Sequence, residues 1–217
     1  MGTSLRAITM DVQQSYNNWA DQYDTNVNKT RDLEALALKE CLADIRFESC
    51  LEIGCGTGKN TAWLLTKAQD ITAVDLSVEM LSKAKEKIRS DKVSFIQADI
   101  NQSWTFTNRR FDLTTFSLVL EHLEDLESVF RNASERIKRG GFVYVGELHP
   151  FKQYSGSKAK FETAEGEQIV PCFTHNLSDF THAAKKNGFS ILDVNEYFDD
   201  NNRTLIPRIL TMVFRKT

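Results

Sequence analysis

Proline is scarce in this chain, three residues in 217, and the four cysteines fall at 41, 50, 55 and 172 with no C-x-x-C pair among them. That spacing makes neither a disulfide framework nor a paired-cysteine zinc site. No apolar run approaches the roughly 18 residues that span a bilayer, and Met1 to Asn18 contains no apolar signal-peptide core. A surplus of positive charge is also missing: 27 Lys and Arg stand against 30 Asp and Glu, a net charge of −3. A dedicated nucleic-acid binder shows a basic balance, so neither nucleic acid nor membrane is expected as a partner. Repeats, low-complexity tracts and Pro/Gly-rich linkers are absent, and nothing marks a domain boundary. With 41% hydrophobic and 26% charged residues, the composition is that of a packed, cytoplasmic globular chain. The length suits one domain with an insertion.

Hydrophobic periodicity switches repeatedly between strand and helix. Cys50 to Ile53, Ile71 to Val74, Val93 to Gln97, Phe111 to Ser117 and Phe142 to Val145 read as strands. Between them lie helical patterns, one from the glycines at 54–58 through Lys67, one capped by Ser77 with Val78, Leu81, Ala84 and Ile88 in step. A third carries Leu123, Leu126, Phe130, Ala133 and Ile137, with Gly140 and Gly141 as its stop. Strand and helix alternating at this interval predict a parallel sheet covered on both faces. The rhythm fails from His149 to His175, which holds Pro150 and Pro171, and a stretch that long is usually functional. It resumes as a helix over Ser178 to Asn187 and two strands near Ser190 to Tyr197 and Ile209 to Arg215. A helical segment from Asp11 to about Ile45 precedes everything.

The most informative stretch is Leu51-Glu52-Ile53-Gly54-Cys55-Gly56-Thr57-Gly58-Lys59. A P-loop needs Gly where Ile53 stands and Ser or Thr where Asn60 stands; a G-x-G-x-x-G fingerprint needs Gly or Ala where Lys59 stands. Both fail. What fits is acidic-x-G-x-G-x-G, followed 21 residues after Gly54 by Asp75 at the end of the second strand. A carboxylate there accepts from both hydroxyls of a ribose diol. Asp99, after the third strand, either reads an adenine edge or caps a turn. Carboxylates repel a pyrophosphate, so the pattern suits an adenosine ligand that is cationic and lacks phosphate.

On these residues the chain resembles the class I S-adenosylmethionine-dependent methyltransferases, in particular those acting on small molecules. The matching segments are Glu52–Gly58, Ala73-Val74-Asp75-Leu76-Ser77, Gln97-Ala98-Asp99, Phe111-Asp112 through Leu120-Glu121-His122-Leu123, and Lys138-Arg139-Gly140-Gly141. The resemblance implies an α/β, Rossmann-like fold: a seven-stranded, mostly parallel sheet with a reversed last strand and helices on both faces. It implies S-adenosyl-L-methionine as cofactor, S-adenosyl-L-homocysteine as product, and the cofactor lying over the strand ends. Glu52, Gly54, Cys55, Gly56 and Gly58 would face its methionine part, Asp75 with Leu76 the ribose, and Asp99 with Ile100 the adenine. Met80 touches either the adenine or the core. Ser117, Leu118 and Val119 would pass beside the sulfonium, with His122 in the ligand shell or orienting the loop. Tyr16 and Tyr23 look like an N-terminal lid, and an aromatic face can contact a sulfonium cation.

The whole chain, 1–217, is thus expected to be one methyltransferase domain, with residues 1–45 as a helical lid and 148–176 as a substrate-roof insertion. The acceptor is expected to be a small organic metabolite methylated at oxygen by in-line transfer, the protein acting as a monomer or homodimer. The fourth strand ends in Ser117-Leu118-Val119-Leu120, without the acid-or-amide-Pro-Pro-aromatic signature of amino-methylating nucleic-acid enzymes. A tRNA or protein side-chain methyltransferase, or a non-catalytic cofactor-binding regulator, are the alternatives. Glu147 and His149, on one face of an extended segment, are the candidates to take a proton or anchor an acidic substrate, and His149 is the expected catalytic residue.

Overall fold

A computed structural model describes residues 11–163 and 166–217. Two helices come first, α1 (Val12–Tyr23) and α2 (Lys29–Cys41). Then β1 (Ser49–Ile53), α3 (Lys59–Leu64), β2 (Asp70–Asp75), α4 (Val78–Lys87) and β3 (Val93–Gln97) alternate. β4 (Phe111–Ser117), a 3₁₀ turn (Leu120–His122), α5 (Leu126–Arg136) and β5 (Ile137–Leu148) follow. The remaining elements are α6 (Pro150–Tyr154), the strands β6 (Lys160–Thr163) and β7 (Gly166–Ile169), α7 (Leu177–Lys186), β8 (Phe189–Tyr197) and β9 (Ile209–Lys216).

The main sheet has seven strands in the order β3-β2-β1-β4-β5-β9-β8. The first four pairings inward from β3 are parallel, and β9 lies antiparallel between β5 and β8. This is the expected mostly parallel sheet with a reversed last strand. Alternation along the buried strands sends side chains to two separate cores. Leu51, Ile53, Val74 and Phe116 face α5 and α7, where Phe130, Ala133, Phe180 and Ala184 complete one cluster. Cys50, Ile71, Ala73 and Leu113 face the other way, onto Leu38 of α2, Leu64 of α3 and Leu81 of α4. Because β1 connects outward to β2 while β4 lies on its other side, the strand order reverses between β1 and β4. The carboxyl ends of those two strands flank the crevice in which such sheets bind ligands.

Tertiary structure adjusts several expected boundaries. The N-terminal segment is two helices, because Asn28 caps α2 by accepting from Thr30 N at 3.0 Å and Arg31 N at 3.1 Å. The first-loop helix stops at Leu64, short of Lys67. Gly140 and Gly141 are not a helix stop: Ile137 is already extended and pairs with Phe111, so both glycines lie inside β5. A Cβ on Gly141 would come within 2.8 Å of the Asp112 carbonyl oxygen, a contact only glycine avoids. The irregular stretch after His149 contains α6 and the β6–β7 hairpin. Among the described residues no helix is long and apolar enough to cross a membrane.

Phe130 sits at the centre of the larger core, fully buried, with its ring 5.6 Å from Phe214, 6.2 Å from Phe189 and 6.4 Å from Phe116. Phe130→Ala is expected to cost about 3–5 kcal/mol by leaving an unfilled cavity, read as a lower urea midpoint at unchanged slope. A cost under about 1 kcal/mol would mean the core collapses around the gap.

Candidate functional site

The turn after β1 is built on one carboxylate. Gly54 N and Cys55 N both donate to the Val74 carbonyl, at 2.8 and 3.0 Å, which ties the glycine loop to the end of β2. Asp75 then accepts from Gly56 N on Oδ2 and from Ser77 N on Oδ1, each at 2.8 Å. Gly54, Gly56 and Gly58 all have positive φ, between 53° and 82°. A Cβ on Gly54 would press on the Val119 side chain at 2.9 Å, and one on Gly58 would meet Ile88 Cδ1 at 2.7 Å. Glycine at 54 thus lets two strand-end loops close, and glycine at 58 lets α3 start against α4. A Cβ on Gly56 would meet only Tyr23 Cε1, at 3.8 Å, and would otherwise stand in open cavity. Burial raises the Asp75 carboxyl above its ordinary range, against the lowering pull of those backbone N–H groups.

The cavity beside this turn spans about 710 Å³, part of it open to solvent. Of the expected residues, Gly54, Gly56, Asp75, Leu76, Asp99 and Ile100 line it from the β1–β3 side. Ser117, Leu118, Val119 and His122 line it from the β4 side, and Tyr16 and Tyr23 close it from α1. Asp99 also caps a turn, accepting from Asn101 N at 2.9 Å. Five expected residues stand elsewhere. Glu52 and Cys55 line a smaller adjoining recess with Arg31, Glu34 and Asn60. Gly58 lines neither, and Met80 is fully buried in a cluster with Trp19 and Phe161. His149 lines neither as well: its Nδ1 accepts from Phe151 N at the start of α6, and its Nε2 lies 3.1 Å from Glu196 Oε1.

Sequence reasoning missed Arg31. Its guanidinium lies 4.0 Å over the Tyr23 ring and donates to the Tyr23 and Asn26 carbonyls, while Nε is buried with no partner. On a helix rich in Asp, Glu and Lys, it reads as one more solvated charge. Glu34, 2% exposed, was equally unmarked; it accepts from Asn60 Nδ2 at 3.0 Å and from the Tyr144 hydroxyl at 3.1 Å.

Two long contacts join the lid and the insertion across the cavity. The Tyr16 hydroxyl and His122 Nε2 are 2.8 Å apart, and His122 Nδ1 lies 2.8 Å from the Pro171 carbonyl. A carbonyl only accepts, so Nδ1 carries the proton and Nε2 accepts from Tyr16. Exposed ion pairs also link α1 and its C-terminal end to α4: Asp21 pairs with Lys83 and Asp24 with Lys87. Tyr16, Tyr23 and Leu118 line a second cavity as well, about 1310 Å³ and open to solvent, walled by Trp19, Glu121 and Arg208. Among the described residues no cluster of His, Cys, Asp and Glu is arranged to hold a metal ion.

Between the two cavities the backbone is held by Glu147. Its Oε1 accepts from Val119 N at 3.0 Å and Leu120 N at 2.8 Å, just after Leu118, which is left-handed at φ 54°. Its Oε2 is buried without a partner. Burial, with Glu121 nearby, pushes the Glu147 carboxyl up to about 8; burial likewise pushes Glu52 up to about 8. An acid raised in the folded state keeps its proton while the unfolded chain loses it. Stability is therefore expected to fall as pH rises from about 4.5 to about 8, and to level off above that. Glu147→Gln, which keeps the accepting oxygen, is expected to flatten part of that fall in urea midpoints taken at pH 5, 6.5 and 8. An unchanged slope in the variant would show that the carboxyl ionises freely.

A profile of the methyltransferase domain family matches residues 51–145. An uncharacterised methyltransferase of Emericella nidulans is 24% identical, aligned over 86% of this chain and 78% of its own length. A malonyl-[acyl-carrier protein] O-methyltransferase of Priestia megaterium is 29% identical over 90% of this chain and 68% of its own. An N-methyltransferase of Bradyrhizobium japonicum, solved in complex with S-adenosyl-L-homocysteine, shares the fold at a TM-score of 0.71 and 18% identity, covering 95% of this chain and 99% of that one. With the glycine turn, the sheet order and the reversed last strand, these matches give the chain a methyltransferase domain over residues 51–145 and the fold of the S-adenosylmethionine-dependent methyltransferases.

Proposed function

We propose that this methyltransferase moves the methyl group of S-adenosyl-L-methionine to an oxygen of a small organic acceptor. The observation that carries the reading is the pair of cavities that meet at Tyr16, Tyr23 and Leu118, one bounded by the glycine turn and Asp75, the other by the insertion. One methyl donor and one acceptor need such a junction, and a chamber walled by the insertion suits a small molecule better than a nucleic-acid duplex.

The residues present fit the cofactor. Each Asp75 oxygen holds one backbone N–H and keeps a lone pair for a ribose hydroxyl. The open space over Gly56 is a cradle that a side chain would fill. In the adjoining recess, the partnerless Nε of Arg31 suits a carboxylate, and Glu34 and Glu52 suit an ammonium, so the recess fits an amino-acid head. Asp99 and Ile100 are assigned to the adenine, Leu118 and Val119 to the edge of the sulfonium.

Bound S-adenosyl-L-methionine supplies an electrophilic methyl on a good leaving group. The chain's part is then alignment and the exclusion of water. Tyr16, fastened to His122, closes the described part of the lid over the cofactor, the first ten of its expected residues 1–45 lying outside the described residues, and the described part of the expected roof at 148–176 covers the acceptor within the one domain expected over 1–217. Glu147 holds the Leu118–Leu120 turn, and with it the wall between the chambers. The transfer is assigned to oxygen because the β4 end lacks the amino-methylating signature and because relatives named as O-methyltransferases match most of the chain.

Calorimetry tests the cofactor half. S-adenosylhomocysteine is expected to bind the wild type and to lose at least about tenfold, roughly 1.4 kcal/mol, in Asp75→Ala. Arg31→Met is expected to weaken S-adenosylhomocysteine by about tenfold yet leave 5′-methylthioadenosine, which has no amino-acid head, nearly unchanged. Equal losses for both ligands would remove Arg31 from the amino-acid recess.

A further inference from the structure

Glu121 is a buried acid that no step so far uses. It is 6% exposed, and it lines the acceptor chamber, as does Leu118. Its polar contacts are weak: Oε2 receives Gln153 Nε2 at 3.4 Å, the Cys172 thiol also hydrogen-bonds to the carboxylate, and Oε1 lies 4.0 Å from His122 Nε2. No Lys or Arg among the described residues pairs with it. A buried carboxylate held by such weak donors has lone pairs to spare.

The other titratable groups at this junction are committed. His122 uses Nδ1 on Pro171 and Nε2 on the Tyr16 hydroxyl, the groups that tie lid to roof. Cys172 is held near 12 by burial and by Glu121, and so stays a thiol. Tyr16 is raised well above its ordinary range by burial. Lys158 lies on the outer wall of the chamber.

We infer that Glu121 presents its carboxylate to the methyl-transfer point from the acceptor side and receives the proton of a hydroxyl acceptor there. The inference rests on the methyl-transfer reading above and narrows its acceptor to an alcohol or phenol. A carboxylate acceptor has no proton to give at neutral pH and would set one negative charge against another in a buried wall. The balance is simple. The O–CH₃ bond forms as the S–CH₃ bond breaks, the S–C electron pair stays on sulfur, and the O–H proton passes to Glu121. Burial raises the Glu121 carboxyl above its ordinary range, which makes it a stronger base than an exposed one.

Sinefungin, which carries a protonated amine where the cofactor carries its transferable methyl, probes this directly. Its affinity relative to S-adenosylhomocysteine, measured by calorimetry at pH 8, reports a negative group facing the transfer point. Glu121→Gln keeps the shape and the Gln153 contact. It is expected to weaken sinefungin by about tenfold while S-adenosylhomocysteine moves by less than about twofold. An unchanged sinefungin preference overturns the inference. So does a parallel loss of both ligands in a variant that melts like the wild type, since that is the mark of a purely structural side chain. If folded wild type binds neither ligand, the methyl-transfer reading fails first and this inference falls with it.

Discussion

The carboxylate of Asp75 is the contact on which the rest of the site depends. It sits at the end of β2 and takes one backbone N–H from the glycine turn and another from the start of α4. Without it, the turn past Cys55 would lose its anchor, leaving the bonds from Gly54 N and Cys55 N to the Val74 carbonyl to hold the loop. Each glycine loses more chain entropy on folding than any other residue, so a loop rich in them needs such an anchor. The same group is raised by burial and lowered by its N–H partners, a balance that leaves a carboxylate able to bind further donors inside a cavity.

A second buried acid, Glu147, plays the corresponding part across the sheet. β4 ends at the crevice, and Leu118 then turns through a conformation that a β-carbon disfavours. Such strain persists only where neighbours over-determine it, and here two hydrogen bonds to one carboxyl oxygen and one from Leu118 N to the Gly146 carbonyl do so. Leu118 ends up on the boundary between the two chambers. Two acids thus shape the two lips of the crevice, and both are set at strand ends where the sheet itself is rigid.

The lid and the roof are closed by weaker and more local means. Trp19 stacks on Phe161 at 5.2 Å and packs with Met80, joining α1, the β6 strand and α4 in a small apolar cluster. The imidazole of His122 then bridges Tyr16 to Pro171. Ion pairs from Asp21 and Asp24 to α4 are exposed and add little stability, yet they set the direction from which the lid approaches.

Periodicity alone was enough for the fold. Val93–Gln97 and Phe111–Ser117 are strands with the bounds their alternation predicts, and Ser77 caps its helix as its position suggests. The glycine turn and Asp75 were legible for the same reason: their signal is local, a few residues whose backbone demands only particular side chains meet. What failed was non-local. Ile137, in step with a helix, became a strand because Phe111 offered it a pairing partner, and Gly140 and Gly141 became strand residues with it. His149 reads as a strand-end site residue, yet its ring is taken up by Phe151 and Glu196. Arg31 and Glu34 carry no local signature at all. Charged residues on amphipathic helices and turns look solvated until tertiary packing takes water from them, and burial is what turns an ordinary charge into a binding group. The sequence by itself determined the sheet, the turn and the class of ligand the turn suits, since these follow from backbone geometry. Only the tertiary structure decided which charges lose their water at the junction of the two chambers, because desolvation depends on every element that packs around them.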